Sequence, residues 1–320
     1  FSMVKTYGGV LNQKGYAINK TFDGGYIIVG STTAGAGGTN VWILKINGSG
    51  QYSWSRTYGG EENDIGKDII QTSDGGFLLT GYTKSYSADG NMDLWLIKTD
   101  QSGQTCIPDE NGNCTQNSSK WIRSYGSSGN DFGNSVIETI DGNYVVAGKN
   151  GRIPSIFAIM VDQFGDKIWD GLYGYGPNDV ANSIIENENQ GFFLIGKVNN
   201  NNSVDNLCLL SIDNNGQEQN LRIEDNSGGD DVGYSIVKKS DGSGYVLSGA
   251  NKSYNNSAWS NMWMLTTDIL GETDLNNHFG DSYTEVGNYA HQTPDNGYII
   301  SGFTESFGQG LYDIWVVKTD

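Results

Sequence analysis

The sequence predicts an all-β chain folded as a six-bladed β-propeller with four strands per blade. Three observations carry this reading. A unit of four short β-type runs recurs six times along the 320 residues, the signature of radial repetition. The chain holds 46 Gly beside 18 Tyr, 11 Phe and 8 Trp, the mixture expected of many short aromatic strands joined by tight turns. No stretch keeps a helical apolar period for three turns, so helix is not supported.

The second unit is the clearest copy. Its first strand passes through Asp68-Ile69-Ile70-Gln71, turns at Asp74-Gly75-Gly76 and returns as Phe77-Leu78-Leu79-Thr80-Gly81. A third run, Asp93-Leu94-Trp95-Leu96-Ile97-Lys98-Thr99-Asp100, leads to a fourth, Trp121-Ile122-Arg123-Ser124-Tyr125-Gly126. The first turn recurs as Asp23-Gly24-Gly25, Asp141-Gly142-Asn143, Asn189-Gln190-Gly191, Asp241-Gly242-Ser243-Gly244 and Asp295-Asn296-Gly297. The six copies are 51, 67, 48, 52 and 54 residues apart. Such turns supply the positive φ of a tight hairpin. Every second strand ends in Gly (Gly30, Gly81, Gly148, Gly196, Gly249, Gly302). That Gly marks either a close backbone approach or bulge, or simply where the strand stops.

Bulky columns should hold the blades together. The third strands carry Trp42, Trp95, Phe157, Cys208, Trp263 and Trp315, and the fourth strands carry Trp54, Trp121, Trp169, Leu221 and Leu275. Each aromatic can bury ~150–250 Å². Cys208 sits in the first column and reads as a buried thiol rather than a nucleophile.

The two ends explain each other. The sixth unit stops at Lys318-Thr319-Asp320, after its third strand, whereas Met3-Val4-Lys5-Thr6-Tyr7-Gly8-Gly9 matches Trp54-Ser55-Arg56-Thr57-Tyr58-Gly59-Gly60. Residues 1–9 are therefore expected to supply the fourth strand of the last blade, closing one domain over 1–320 and removing two open edges. Phe1 falls inside a strand pattern, which reads as a mature or excised piece. The second unit carries an insertion in which Cys106 and Cys114 flank a short loop, a hairpin disulfide in an oxidising compartment.

Charge narrows the partners. Nineteen Lys and Arg against 37 Asp and Glu give −18, a field that repels nucleic acid and anionic membranes. No apolar run approaches the ~20 residues that span a bilayer. Sequons stand at Asn19, Asn47, Asn113, Asn117, Asn201, Asn251 and Asn255.

The pattern Tyr-Gly-Gly, Asp-x-Gly, Thr-x-Asp-Gly-Gly-Tyr-Ile-Ile-x-Gly, Asp-x-Trp-x-x-Lys-x-Asp resembles repeats of secreted and cell-surface proteins of bacteria and archaea. The resemblance spans essentially the whole chain. Units four and five depart most, at Asn189, Cys208, Leu221 and Leu275. It implies a propeller fold and an extracellular or cell-surface location, and transfers no catalytic residue.

Two sets of residues are candidates for a site. The fourth-to-first loops carry Asp64, Asp131, Asp179, Asp231 and Glu285, with Gln13 in the same register. Facing a common opening they would take a hard cation such as calcium, or a polyhydroxyl ligand. Folded back on their own loops they would only accept backbone N–H bonds, which repetition in every blade favours. The other set breaks the repeat. In the innermost-strand column, Ile70, Ile137, Ile185 and Val237 give way to Asn19 and His291, a polar pair at the seam between first and last blades. The second-to-third loops add Tyr86, Tyr254, Trp259, Phe307 and Tyr312, and Trp259 is the one Trp outside the two columns. Exposed aromatics among Asn, Ser and Gly suit sugar and protein surfaces.

Enzyme chemistry finds little support. The two His, His278 and His291, are linked by no metal-ligand spacing. The four Arg lie mostly on outer strands, and paired-carboxylate hydrolysis or lyase chemistry has only the acidic loops to draw on. The expectation is a non-catalytic adhesion or binding module for a glycan or protein, without a cofactor. The alternative is a structural subunit of a surface layer, appendage or filament that binds copies of itself.

Overall fold

A computed structural model of the chain describes residues 4–320 except 36, 107–118, 152–154, 200–203, 225–228, 253–258 and 309. The fold is a six-bladed β-propeller built of antiparallel strands, with no helix among the described residues. Contacts divide the chain into two compact units, 1–152 with 158–170 and 153–157 with 171–320.

In the first unit, blade one is β1 (Gln13–Lys20), β2 (Tyr26–Thr32), β3 (Asn40–Ile46) and β4 (Tyr52–Tyr58). Blade two is β5 (Asp64–Gln71), β6 (Phe77–Thr83), β7 (Asp93–Thr99) and β8 (Trp121–Tyr125). Blade three, mostly in this unit, is β9 (Phe132–Glu138), β10 (Tyr144–Asn150), β11 (Ser155–Val161) and β12 (Lys167–Tyr173). The second unit holds blade four, β13 (Val180–Glu186), β14 (Phe192–Val198), β15 (Asn206–Ile212) and β16 (Glu218–Glu224). Blade five is β17 (Asp231–Lys238), β18 (Gly244–Asn251), β19 (Asn261–Asp268) and β20 (Thr273–Phe279). Blade six is β21 (Glu285–Gln292), β22 (Tyr298–Thr304) and β23 (Asp313–Thr319). Within each sheet the strands pair in chain order.

The Gly of every second strand lies two residues inside the strand, and the pairing there shows its purpose. In each blade the pairing of first and second strands slips by one residue, between Gly15 and Ala17, Gly66 and Asp68, Gly133 and Ser135, Ala181 and Ser183, Gly233 and Ser235, and Gly287 and Tyr289. This bulge pushes a carbonyl of the innermost strand against the second-strand Gly. A Cβ at Gly81 would collide with the Ile65 oxygen, and one at Gly30 with the Lys14 oxygen. Close approach, not the end of a strand, explains the column.

A salt bridge explains why the repeat couples Asp-Gly-Gly to Asp-x-Trp-x-x-Lys. Lys98, 1% exposed, reaches from β7 under the first turn, and its Nζ lies 2.7 Å from Asp74 and 3.3 Å from the Thr99 carbonyl. Lys45 holds Asp23 at 2.9 Å and Lys318 holds Asp295 at 3.0 Å in the same way. A buried ammonium is tolerated because its protons all find oxygen acceptors. Blade five has Thr266 at this offset and ties its turn with a different pair, Lys239 to Asp274 at 2.9 Å.

Successive blades are joined by the Trp columns and by the Tyr of Tyr-Gly-Gly. In the first unit Trp54 meets Phe77 edge-on at 5.8 Å, and the fully buried Trp121 donates Nε1–H to the Gln163 carbonyl at 2.8 Å. Tyr58 donates its hydroxyl to the Gly103 carbonyl at 2.6 Å, and Tyr125 to that of Gly165 at 2.5 Å. In the second unit Tyr173 reaches Gly216 at 2.6 Å. Blade four has no Tyr at this place, and the Arg222 guanidinium donates to the Gly271 carbonyl instead, at 2.9 Å.

Residues 4–12 carry no strand, and the last sheet holds three strands among the described residues, so residues 4–9 do not form the fourth strand expected there. They do make, with blade one, the side contacts of a fourth strand. Tyr7 donates its hydroxyl to the Gly50 carbonyl at 2.5 Å, and the Gly9 N–H donates to Gln13 Oε1 at 3.2 Å. Those repeat the Tyr58–Gly103 and Gly60–Asp64 contacts one blade earlier. The Cys106–Cys114 pairing lies outside the described residues because Cys114 does. Cys208 is buried and unbonded, and burial pushes its thiol pKa up, as a packing residue requires.

Removing the turn carboxylate should expose the cost of the buried ammonium. Asp74→Ala is expected to destabilise by about 1.5–3 kcal/mol at neutral pH, toward the lower end because Asp74 is half exposed. The Thr21 hydroxyl and then the Lys45 ammonium hold Asp23 down at about 2. At Asp74 burial pushes upward, but Lys98, Thr72 and the Gly76 N–H outweigh it and the net is downward. Both shifts are depressions, so the stability they contribute is present above the ordinary carboxyl pKa and lost as pH falls through the lowered values, about 2 for Asp23. Denaturant midpoints of wild type and Asp74→Ala across that range check this: the gap should narrow on acidification, and a constant gap contradicts it.

Candidate binding site

The five loop carboxylates are buried, each within 1% exposure. Asp64 accepts from the Gly60 N–H (3.0 Å), the Thr83 and Ser85 hydroxyls (2.5 and 2.6 Å) and the Lys84 and Ser85 N–H groups (both 3.2 Å). Asp131 accepts from the Ser127 and Gly151 N–H groups at 2.7 and 3.1 Å. In the second unit Asp179 accepts from Tyr175, Gly176 and Asn199 N–H groups, at 2.5, 2.8 and 2.7 Å. Asp231 takes the Lys252 N–H at 2.8 Å, and Glu285 takes the Asp281 and Ser306 N–H groups at 3.1 and 3.2 Å with the Thr304 hydroxyl at 3.0 Å. Each carboxylate thus braces the backbone of its own loop, of the second-to-third loop of its blade, or of both, and among the described residues no three acidic, His or Cys side chains gather to hold a metal.

Two further details concern these loops. A braced carboxylate should titrate low, yet Asp131 is raised, because desolvation outweighs the Ser127 and Gly151 bonds. The Gly two residues after the acid serves packing between blades. A Cβ at Gly66 would collide with Val29 of the preceding blade and one at Gly233 with Ile195, so this Gly lets neighbouring blades approach. The Gly before the loop is the one that yields to the acid: Gly59, at φ +142°, would drive a Cβ into Asp64 Oδ2.

The polar pair is divided between the units. The Asn19 amide donates to the Ile69 carbonyl of the next blade at 2.6 Å and so ties blade one to blade two. His291 stands exposed on β21 in the second unit. Of the loop aromatics, Tyr86 is half-buried, packs 5.6 Å from Trp95 and donates to the Gly59 carbonyl at 3.3 Å. Phe307 lies 5.3 Å from Trp315, and Tyr312 meets Phe303 edge-on at 5.3 Å, with a hydrogen bond to Glu305 that raises its pKa. Tyr254 lies outside the described residues. Trp259 is 45% exposed and 5.9 Å from Tyr283.

One of these aromatics lines a cavity. Trp259 and Ser260, from the β18–β19 loop, bound a space of about 360 Å³ with Tyr234, Asp230, Lys252 and Thr284, floored by Val232, Ala250 and Val286. All belong to the second unit, and the loops that supply Asp230 and Thr284 also present Asp231 and Glu285. Sequence reasoning found Trp259 and missed Tyr234, which is the extra residue of the β17 bulge. The bulge column reads Tyr16, Lys67, Asn134, Asn182, Tyr234, Asn288. It is the position after the Gly or Ala column and differs from blade to blade, a signal that was readable but has no meaning until the bulge is seen. In the first unit Lys67 stands 5.0 Å over the Tyr16 ring at this position. A larger cavity of about 540 Å³, between residues 6–11 and β3–β4, is lined by the blade-stacking residues Trp42 and Leu44 and has the chemistry of packing.

The Arg residues have structural work. Arg56 lies 5.3 Å over Trp54, and Arg123 donates to the Ile122 and Phe164 carbonyls at 3.1 and 3.5 Å. His278 on β20 is half-buried, and burial lowers its pKa.

No family model and no curated protein matches the chain. Solved structures do. The chain is similar to the hydrazine synthase of Kuenenia stuttgartiensis, at TM-score 0.59 and 12% identity over 95% of this chain and 80% of that one. It is also similar to the Pan2 WD40 domain of Neurospora crassa, at TM-score 0.55 and 10% identity over 91% of this chain and 75% of that one. At such identities the likeness concerns the fold alone. One neighbour is an enzyme by name and the other a WD40 domain, so the propeller by itself selects neither.

Two outcomes follow from the loop geometry. Thermal midpoints with calcium and with chelator should coincide; a large calcium-dependent rise abolished by Asp131→Asn together with Asp179→Asn would restore the cation reading. The second concerns Asp93, 9% exposed, which burial and then the charges of Asp89 and Asp131 push up to about 6. Blades one, four and five have Asn40, Asn206 and Asn261 at the same strand position. Because the shift is upward, the charged form opposes folding, a penalty absent below about pH 4 and complete above about 6. Asp93→Asn should raise the midpoint at pH 7.5 and lose that advantage at pH 4; an equal effect at both pH values overturns this.

Proposed function

We propose that the chain is a non-catalytic binding module of the cell exterior, recognising a glycan or a partner protein through its loop end. The observation that carries this is the cavity holding Trp259 and Tyr234, where a partly exposed Trp stands among polar groups on loops supported by rigid sheets. Scaffolded loops of this kind are where recognition residues concentrate. Supporting the exterior location are the charge of −18 and the resemblance of the repeat to those of secreted proteins. A Cys106–Cys114 disulfide fits an oxidising compartment as well.

Catalysis is not part of the reading. The acidic loop residues are each occupied by backbone N–H groups of the surrounding loops, and Arg123 and Arg222 tie successive blades together. The test is binding of the intact chain to immobilised glycans and to immobilised surface proteins, with mass spectrometry of both after incubation. Saturable binding to one class, with the ligands unaltered, is expected. No binding in either class, or cleavage of either, would overturn the reading.

A further inference from the structure

The cavity in the second unit has a chemistry more specific than a general binding surface. Its two aromatics come from different elements: Trp259 from the loop after β18, and Tyr234 from the bulge of β17, which re-aims one side chain off the ladder. Val232, Ala250 and Val286 give it an apolar floor, while Ser260, Thr284, Asp230 and Lys252 put hydroxyls, a carboxylate and an ammonium at its margin.

Two of those polar side chains, Asp230 and Ser260, are held in place, and Thr284 and Lys252 are held by their backbones. Asp230 Oδ1 accepts the Asp205 N–H at 3.1 Å, which fixes the plane of its carboxylate. The Ser260 hydroxyl lies 3.4 Å from the Glu285 carbonyl, and the Thr284 N–H donates to Glu305 at 3.3 Å. Lys252 is anchored through its own N–H on the buried Asp231, at 2.8 Å. A site whose supports are fixed before the ligand arrives loses less entropy on binding.

The mixture selects a ligand class. Aromatic faces favour a ring that presents C–H bonds on one side. The same ring must carry groups that both donate and accept, because the margin offers an acceptor-only carboxylate, a donor-only ammonium and two hydroxyls. One negative and one positive side chain disfavour a ligand with net charge of either sign. A space of about 360 Å³ stands at the lower end of small-ligand clefts, ~300–1,000 Å³. It holds a mono- or disaccharide and is too small for a folded partner.

We propose that the cavity between Trp259 and Tyr234 is a saccharide subsite that takes a neutral pyranose ring, with the ring stacked on Trp259 and its hydroxyls bonded to Asp230, Lys252, Ser260 and Thr284. The proposal rests on the binding reading above and narrows its ligand and its place. No other blade pairs a loop Trp with a bulge Tyr: Trp259 is the one Trp outside the blade-stacking columns, and the bulge residue is Lys or Asn in four of the other blades and Tyr16 in blade one.

The experiment is titration of the intact chain with cellobiose, maltose, lactose and chitobiose, followed by Trp fluorescence and calorimetry. Glucuronic acid and glucosamine serve as charged probes. Trp259→Ala, Trp259→Phe and Tyr312→Ala are compared with wild type, each checked for native circular dichroism. Tyr312 is a more exposed aromatic, 65% against 45%, outside the cavity. The expected result is saturable binding of at least one neutral disaccharide, weakened about tenfold or more in Trp259→Ala, a loss of about 1.4 kcal/mol. Trp259→Phe should retain most of the affinity, Tyr312→Ala all of it, and both charged sugars should bind more weakly. If a disaccharide binds wild type and Trp259→Ala equally, the subsite is wrong while the glycan-binding reading stands. If no neutral sugar binds but a surface protein does, the subsite fails and the module reading survives. Preferred binding of a charged sugar overturns the argument from the margin groups.

Discussion

The joint between successive blades depends on a buried carboxylate. Asp64 shows why: its two oxygens collect three backbone N–H groups and two hydroxyls from segments that would otherwise leave donors unpaired in the interior. An unmade hydrogen bond of that kind costs roughly 1–3 kcal/mol. One acid therefore determines the shape of the loop entering a blade, the path of the chain leaving the last one and the Gly beside it. The same joint recurs at Asp131, Asp179, Asp231 and Glu285. It is why so acidic a set of loops is structural: the negative charges are enclosed by donors rather than presented to a ligand.

The second determinant is the bulge. It bends each innermost strand, forces Gly at the facing position of the second strand, and places one residue per blade outside the ladder. Together with the Lys–Asp pair under the first turn, it accounts for most of the repeat's fixed letters. Tyr-Gly-Gly is a hydroxyl reaching the next blade and a backbone yielding to an acid. Asp-Gly-Gly and the third-strand Lys are the two halves of one ion pair.

Much of the fold was legible because it repeats. Six Asp-Gly-type turns and two aromatic columns gave strand number, order and blade count, since each signal was read six times over rather than once. The site was less legible for the opposite reason. Trp259 stood out as an unmatched Trp, but Tyr234 looked like any strand Tyr until the slip between Gly233 and Ser235 turned it out of register. Asn19 stood out as a polar residue in an apolar column, but nothing in the spacing says that its amide serves the Ile69 carbonyl of the neighbouring strand. Tyr86 looked like a binding aromatic and is a packing one. Single residues in loops are decided by which neighbour reaches them first, and spacing along the chain does not encode that.

The bulge also separates two kinds of inheritance in the chain. Ladder positions answer to their cross-strand partners and to the neighbouring blade, so a change there must be matched elsewhere. The residue in the bulge has no cross-strand partner to match, and where it meets the neighbouring blade it does so by its tip alone, as Asn182 does at the Gly233 carbonyl and Lys67 over the Tyr16 ring; Tyr, Lys and Asn all occupy it across the blades. A duplicated blade therefore arrives with its architecture already solved and one address left blank. Specificity can be rewritten there by point substitution, without renegotiating the scaffold, and a propeller assembled from near-identical copies can diversify its surface one blade at a time.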